Sequence, residues 1–326
     1  MMMMIFFTKF MIFPHLIFFS IFPLFIYDFF IIWFSMEILN FLFIFYLNMN
    51  LKYKKIIFLY FLIQILSSFL LLISIILNNF LTTNNLISIL MTMSLMMKLS
   101  LPPFHLWLPI MSKFLTWNSM FFILTFQKIS PFYMLSLLNQ NLFIIYMTIF
   151  LCSLIPPMMT FNMNNLKIII SYSSINQSSW MIFLIYLKNI IWMKYFMLYL
   201  FILWMLTFLI YFFKIFKNFS LSKNFMYNLL IYMFLFNLSG LPPFTFFYLK
   251  WYSIFIFMNY SNLFLIFILM MTSSFFMLFI YLNLSINIMY LFSMNSKLIK
   301  FNIKNNLTFM PFLIMSLLMS MIIYMI

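Results

Sequence analysis

Long apolar stretches separated by short polar groups dominate this chain. Each stretch runs for about 20 residues, which is enough for an α-helix to cross a hydrocarbon layer about 30 Å thick. The connections are rich in Asn, Ser, Thr and Lys, as in Asn78-Asn79 and Asn139-Gln140-Asn141. Alternating strands of about ten residues, which membrane barrels require, do not occur. The pattern therefore predicts an all-α polytopic membrane protein.

The spacing of the apolar stretches predicts a single transmembrane domain with eleven membrane-spanning segments. No soluble domain fits between them. We also expect no cleavable presequence, because the first apolar run is followed directly by others. The approximate bounds are 5–26, 29–47, 55–77, 86–108, 114–138, 142–160, 168–187, 190–213, 225–250, 254–283 and 306–326.

Composition agrees with a membrane protein and indicates where the gene resides. The chain is 67% hydrophobic and 6% charged, whereas about 25% of residues are charged in an ordinary soluble domain. Ala, Val and Arg are missing, Gly occurs once, and Met occurs 35 times. An AT-rich gene read with AUA as Met explains this bias. We therefore expect an animal mitochondrial genome and insertion into the mitochondrial inner membrane.

The net charge of +15 comes from lysines dispersed between apolar runs, without a basic polar domain that could hold nucleic acid. Eleven crossings place twelve lysines on the side of the N-terminus and only Lys188 and Lys194 on the other. The positive-inside tendency therefore puts the N-terminus in the matrix. The twelve are Lys9, Lys52, Lys54, Lys55, Lys113, Lys167, Lys214, Lys217, Lys223, Lys297, Lys300 and Lys304.

The chemistry of soluble redox enzymes is not visible in the sequence. There is no Gly-rich phosphate loop and no Cys or His cluster for iron–sulfur or haem. The one cysteine, Cys152, excludes an internal disulfide. We expect that this chain binds no redox cofactor and no metal.

Two apolar segments contain the same interruption. Ser100–Phe104 reads SLPPF and Gly240–Phe244 reads GLPPF. A proline pair leaves backbone groups unpaired, which hydrocarbon cannot satisfy, so such breaks persist where protein or a wet cavity receives them. Transporters place their sites at such breaks.

Glu37 and Lys98 are charged residues inside predicted segments. An unpaired charge at the membrane centre costs roughly 2.5 to 3.5 kcal/mol, so Glu37 should face the bundle and have a partner. Pro102 frees the carbonyl of Lys98 itself, which brings a charge and a freed carbonyl together. A structural carboxylate neutralised by one lysine is the alternative reading of Glu37.

Lys128 and Lys250 complete a row of intramembrane lysines. Pro131 frees the carbonyl beside Lys128, and Lys250 follows the second break. Burial opposes the charge of a lysine and a nearby carboxylate favours it, so moving either neighbour makes the lysine bind or release a proton. Groups of this kind joined by water form a proton relay. The alternative is that each lysine extends to an interface.

Uncharged polar residues leave two interpretations open. His105, directly after the first break, could relay protons because imidazole titrates near neutral pH, or it could be held by local hydrogen bonds. Ser171, Ser174 and Ser178 share one helical face with Gln177 beside them. They could hold waters of the relay or bond one helix to another.

These motifs resemble the antiporter-like subunits of mitochondrial NADH:ubiquinone oxidoreductase, respiratory complex I, a family related to multisubunit sodium/proton antiporters. The resemblance covers essentially the whole chain and is most specific at 98–107, 127–131, 166–180, 240–243 and 250–251. It implies two inverted five-helix repeats, each with a broken helix. The repeats would cover about 5–138 and 142–283, followed by a helix over 306–326.

The resemblance also implies residue roles and a function. Glu37 would be the charge partner, Lys98 the central proton-loading lysine, Lys128 the connecting lysine and Lys250 the lysine nearest the exit or the next subunit. The implied activity is proton translocation in the respiratory chain, driven by electron transfer from NADH to ubiquinone. NADH, FMN, iron–sulfur clusters and ubiquinone would be bound by partner subunits, and this chain would contact other membrane-arm subunits and lipids.

Three positions depart from the pattern of many relatives, and two other functions fit the same motifs. Relatives carry a histidine in place of Gln177, a lysine in place of Leu59 and an acid in place of Ile110. One alternative function is another antiporter-like subunit or a stand-alone cation/proton antiporter. The other is a structural scaffold in the membrane arm that does not pump.

Overall fold

The computed structural model of the protein describes residues 8–80, 85–138, 141–187, 190–212, 225–242, 244–257 and 264–295. All regular structure in these ranges is helical. Predicted segment 306–326 lies outside the described residues, as do Asn139-Gln140 and Pro243. The same holds for Lys188, Lys214, Lys217, Lys223, Lys297, Lys300 and Lys304.

The helices follow the predicted segments, and two of the segments are helices broken at the proline pairs. A π-helical turn over Thr8–Ile12 precedes the first helix, and a 3₁₀ turn over Phe22–Phe25 follows it. The helices are α1 (Phe13–Ile21), α2 (Phe29–Asn50), α3 (Lys54–Phe80), α4a (Asn85–Leu99), α4b (Trp107–Ser112), α5a (Trp117–Leu124), α5b (Phe126–Leu137), α6 (Leu142–Thr160), α7 (Leu166–Tyr186), α8 (Ile191–Phe212), α9a (Phe225–Ser239), α9b (Thr245–Phe257) and α10 (Phe264–Asn295).

Seven helical stretches of the described residues are long and apolar enough to cross a membrane. The chain is therefore a multi-pass membrane protein, as predicted. In an 18-residue apolar stretch of α7, 94% of the residues are buried inside the protein. In the corresponding stretch of α3, 33% are buried. Helix α7 is therefore surrounded by protein, whereas much of the surface of α3 is exposed.

Several predicted boundaries differ from the structure. Helix α9b continues seven residues beyond Lys250 to Phe257, and α10 begins at Phe264 rather than at residue 254. The apolar run around Lys250 is uninterrupted, so the lysine lies in the middle of α9b instead of ending it. Predicted segment 114–138 is divided at Thr125, whose hydroxyl donates to the Phe121 carbonyl at 2.6 Å.

The chain folds into two compact units. The first unit contains Met1–Cys152 and Gln177–Ile190, and the second contains Ser153–Asn176 and Ile191–Ile326. Within the first unit, α3 packs along α2 and α4a, and α5b packs against α4a. Within the second unit, α9a packs against both α8 and α10. Each unit thus places its broken helix between neighbours.

Helix α4a ends in a Schellman motif, the hydrogen-bonding pattern that closes many helices with a left-handed residue. The Ser100 N–H donates to the Met97 carbonyl at 3.3 Å, and the Leu101 N–H donates to the Met96 carbonyl at 2.9 Å. Ser100 has φ 57°, in the left-handed region. The motif satisfies the carbonyls of Met96 and Met97 at the end of α4a.

Helix α9a ends in the same motif. The Gly240 N–H donates to the Asn237 carbonyl at 2.9 Å, and the Leu241 N–H donates to the Phe236 carbonyl at 3.3 Å. Gly240 has φ 82°. The repeated SLPPF and GLPPF letters therefore encode the same local backbone twice, with Ser100 and Gly240 at equivalent positions.

A side chain then ties the two halves of each broken helix together. In the first break, the indole Nε1 of Trp107 donates to the Met97 carbonyl at 3.2 Å. In the second, Asn237 Oδ1 accepts from the Thr245 hydroxyl at 3.0 Å and from the Phe246 N–H at 3.3 Å. These bonds fix the start of α4b and of α9b relative to the preceding half-helix.

Candidate functional site

Glu37 and Lys98 form a buried ion pair in the first unit. Lys98 Nζ donates to Glu37 Oε1 at 2.8 Å, although the residues are 61 positions apart in the chain. The side chains are 3% and 16% exposed, respectively. Lys98 occupies the last turn of α4a, and Glu37 lies near the middle of α2. The break ends α4a just after Lys98, so the charge lies beside the interrupted backbone.

A small polar cavity lies next to this pair. The volume that the centre of a water molecule can occupy in this cavity is about 10 Å³. A cavity of this size holds roughly one water. Both Lys98 and Lys128 line it. The other lining residues are Met36, Leu39, Asn40, Tyr60, Gln64, Trp107, Ile123, Gln127, Ser130 and Pro131. The cavity therefore connects two of the predicted site residues.

Lys128 is 3% exposed and lies on α5b, one turn from its start. Its backbone N–H donates to the Thr125 carbonyl at 2.8 Å, next to the point where α5a and α5b separate. Its ammonium group interacts electrostatically with Cys152, and the Cys152 thiol hydrogen-bonds the Ser178 side chain. Lys128 is thus flanked by the cavity and by a thiol–hydroxyl contact.

His105 lies in the first break, between α4a and α4b, and is 6% exposed. Its ring lies near the backbone of Pro103, two residues earlier. It does not line the cavity that Lys98 and Lys128 share. His105 thus lies apart from the cavity, in the turn between the two half-helices.

Lys250 occupies the second unit and has a different kind of partner. It is 5% exposed in the middle of α9b, and its Nζ donates to the Ser239 carbonyl at 2.7 Å. The lysine folds back onto the end of α9a, the other half of its own broken helix. Each site lysine is therefore buried, but Lys98 bonds a carboxylate and Lys250 bonds a backbone carbonyl.

The serines of α7 mostly bond their own helix. Ser171 donates to the Ile168 carbonyl and Ser174 to the Ser171 carbonyl, at 2.7 and 2.6 Å. Asn176, on the same helix, accepts from the Ser273 hydroxyl of α10 at 3.1 Å. The Asn176–Ser273 contact joins α7 to α10 within the second unit.

Asn40 and Tyr60 were not singled out by sequence reasoning. The Tyr60 hydroxyl donates to Asn40 Oδ1 at 3.4 Å and lies near enough to Glu37 to interact with its charge. Asn40 is 6% exposed, and within the described part of the chain its Nδ2 has no hydrogen-bond partner. Asn40 follows Glu37 by one helical turn, and this spacing is the only sequence signal that could have indicated it.

The three positions that depart from the family pattern occupy different surroundings. Gln177 is 3% exposed on α7, whereas Ile110 on α4b is 50% exposed. Leu59 is partly buried on α3. Within the described ranges, no three His, Cys, Asp or Glu side chains come together as metal ligands would.

Broken helices with lysines buried at or near the interruptions define an antiporter-like membrane protein. Residues 26–277 match the family described as "NADH:quinone oxidoreductase/Mrp antiporter, TM", and the chain belongs to this family. The family resemblance expected from the motifs is confirmed.

Several relatives that match are named NADH-ubiquinone oxidoreductase chain 2. The protein from Artemia franciscana is 30% identical over 201 residues, which cover 60% of this chain and 63% of the relative. The protein from Anopheles gambiae is 32% identical over 206 residues, covering 60% of each. The chain therefore spans somewhat less than two thirds of the length of these relatives.

A solved structure has the same fold. A chain of respiratory complex I from Thermus thermophilus superposes with a TM-score of 0.65 at 17% identity, covering 78% of this chain and 64% of that chain. At this level of identity the similarity concerns the fold, and it agrees with an antiporter-like helical architecture.

Proposed function

We propose that this chain translocates protons as an antiporter-like subunit in the membrane arm of NADH:ubiquinone oxidoreductase in the mitochondrial inner membrane. The names of the relatives and the family match support this assignment. The observation that carries it is the buried Glu37–Lys98 ion pair beside a polar cavity that extends to Lys128.

The arrangement can couple a charge movement to a proton movement. Burial disfavours the charged form of Lys98, while Glu37 at 2.8 Å stabilises it. Moving Glu37 away from Lys98 removes that stabilisation, so Lys98 releases a proton toward the cavity and Lys128. Lys250 would act as a further lysine toward the exit or the next subunit, and His105 is a candidate relay group at the first break.

The free energy for this movement would come from other subunits. Electron transfer from NADH to ubiquinone, with FMN and iron–sulfur clusters, takes place there. It would reach this chain as a change in charge or packing along the membrane arm. The partners of this chain are then the other membrane-arm subunits, including other antiporter-like subunits, and membrane lipids.

The finer topology is also part of the proposal. Eleven segments, two inverted repeats over about 5–138 and 142–283, and an N-terminus in the matrix account for the lysine asymmetry. The equivalent Schellman motifs at Ser100 and Gly240 support two related repeats. The breaks occur in segments four and nine, and segments an odd number apart run in opposite directions, as an inverted repeat requires.

Lys98→Met tests the function because it keeps much of the bulk of the side chain and removes its charge. We expect the assembled complex to move fewer protons per electron when NADH oxidation drives uptake in sealed inner-membrane vesicles. Lys113→Met is the matched control, since Lys113 is exposed at the end of α4b, and it should leave the ratio unchanged.

The other functions give different results in the same vesicles. A structural scaffold would assemble and pump normally with Lys98→Met, and also with Glu37 and Lys250 neutralised. A stand-alone cation/proton antiporter would exchange cations without NADH, and removing the rest of the complex would not abolish its transport. Either outcome would contradict the proposed function.

A further inference from the structure

Gly240 is the one glycine in the chain, and both its backbone conformation and its surroundings restrict the residue at this position. Its φ is 82°, in the left-handed region where glycine is favoured. The equivalent position of the first break holds Ser100 at φ 57° in the same Schellman motif. A serine is therefore accommodated at this point of the motif at φ 57°, whereas residue 240 combines a larger φ with a restriction from a neighbouring side chain.

The restriction comes from Lys250. A Cβ atom on residue 240 would lie 2.9 Å from Lys250 Nζ and 3.2 Å from both its Cδ and Cε. These distances are shorter than ordinary carbon contacts, which are about 3.5 to 4.0 Å. The lysine side chain thus packs directly against the α-carbon of Gly240, and any other residue would have to displace it.

The polar end of Lys250 is held by a carbonyl that the helix cannot use. In an unbroken helix, the N–H of residue 243 would bond the Ser239 carbonyl, but residue 243 is a proline and has no N–H. Lys250 Nζ donates to this oxygen at 2.7 Å. The break therefore offers an acceptor, and Gly240 leaves the space through which the lysine reaches it.

We infer that Ser239 and Gly240 form a dock for Lys250, with Gly240 as a positioning residue for the proton step. A charged ammonium binds an oxygen acceptor more strongly than a neutral amine does. The dock consequently holds Lys250 in place while it carries a proton, and loss of the proton weakens the hold. Lys98 uses no such dock, because it bonds Glu37. This inference rests on the proposed function of Lys250.

Gly240→Ser tests the dock by placing in the second break the residue that the first break already accommodates. We expect the assembled complex to retain NADH oxidation and to lose most of the proton translocation that Lys250→Met loses. Adding Gly240→Ser to the Lys250→Met background should cause no further loss, since the glycine acts through the lysine. Ser100→Gly is the matched control and should leave protons per electron unchanged.

The outcomes separate the inference from the function on which it rests. Normal pumping by Gly240→Ser, or losses that add to those of Lys250→Met, would overturn the dock. Normal pumping by Lys250→Met would instead remove Lys250 from the proposed function. If the Gly240→Ser complex does not assemble, the dock is tested on the structure of the unmodified complex. A density map must then place Lys250 Nζ within about 3.2 Å of the Ser239 carbonyl, and a clearly longer distance refutes the dock.

Discussion

At the scale of single residues, the site depends on the pair that Glu37 forms with Lys98. The nitrogen–oxygen distance of 2.8 Å and the low exposure of both side chains mean that each charge relies on the other. Removing one partner of a buried pair is generally far more damaging than removing both, because the remaining charge is left without compensation. Substitutions of Glu37 and Lys98, singly and together, therefore test whether the two side chains form this ion pair.

Glu37→Leu should destabilise the assembled complex by about 3 to 5 kcal/mol, because it leaves Lys98 buried without its carboxylate. Combining it with Lys98→Met should recover much of that loss. The check is the thermal unfolding midpoint and the amount of complex on native gels for both single variants and the double variant. Losses that simply add would show that the two side chains do not depend on each other.

The sequence could locate these charges but not their partners. Glu37, Lys98, Lys128 and Lys250 stand out because charge inside an apolar segment is rare. Asn40 and Tyr60 do not stand out, since Asn is common in the chain and Tyr occurs 19 times. Their importance comes from α3 packing beside α2, which brings the Tyr60 hydroxyl to Asn40, and local patterns do not encode that packing.

At the scale of elements, the two broken helices show how one short motif serves two purposes. Both breaks share the same backbone hydrogen bonds, but different side chains reinforce them. At the first break, the Trp107 indole of α4b donates to the Met97 carbonyl of α4a. At the second break, Asn237 of α9a accepts hydrogen bonds from the first turn of α9b. The first break leaves Lys98 directed to α2, whereas the second turns Lys250 back on its own backbone.

Trp107→Phe should weaken the first break, because phenylalanine keeps an aromatic ring but lacks the indole N–H. The loss of one buried hydrogen bond predicts a destabilisation of about 1 kcal/mol, seen as a lower unfolding midpoint of the complex. Trp204→Phe is the control, as Trp204 is 47% exposed on α8. Equal midpoints for the two variants would show that the Trp107 bond contributes nothing.

Predicting the elements succeeded where polar residues interrupt the apolar pattern and failed where they do not. The start of α2 and the bounds of α6 follow their predicted limits, since polar residues border both helices. The end of α9b was predicted at residue 250, although the apolar run continues past that residue and the helix ends at Phe257. In the structure a backbone carbonyl accepts from that lysine, and the helix continues past it.

At the scale of the whole molecule, we expect a single proton relay in the first unit. Lys98, Lys128 and Asn40 line the same cavity. Among the described residues, the buried Nδ2 of Asn40 has no hydrogen-bond partner. A cavity with space for about one water and polar lining groups can carry a proton between two lysines. Both lysines should then serve a single step rather than two separate ones.

The most direct test is the number of protons moved per electron in assembled complexes carrying Lys98→Met, Lys128→Met and both substitutions together. Residues that act as one unit lose their function together, so the double variant should pump as poorly as either single variant and no worse. Losses that add in the double variant, or single variants that pump at the normal ratio, would contradict a shared proton path through Lys98 and Lys128.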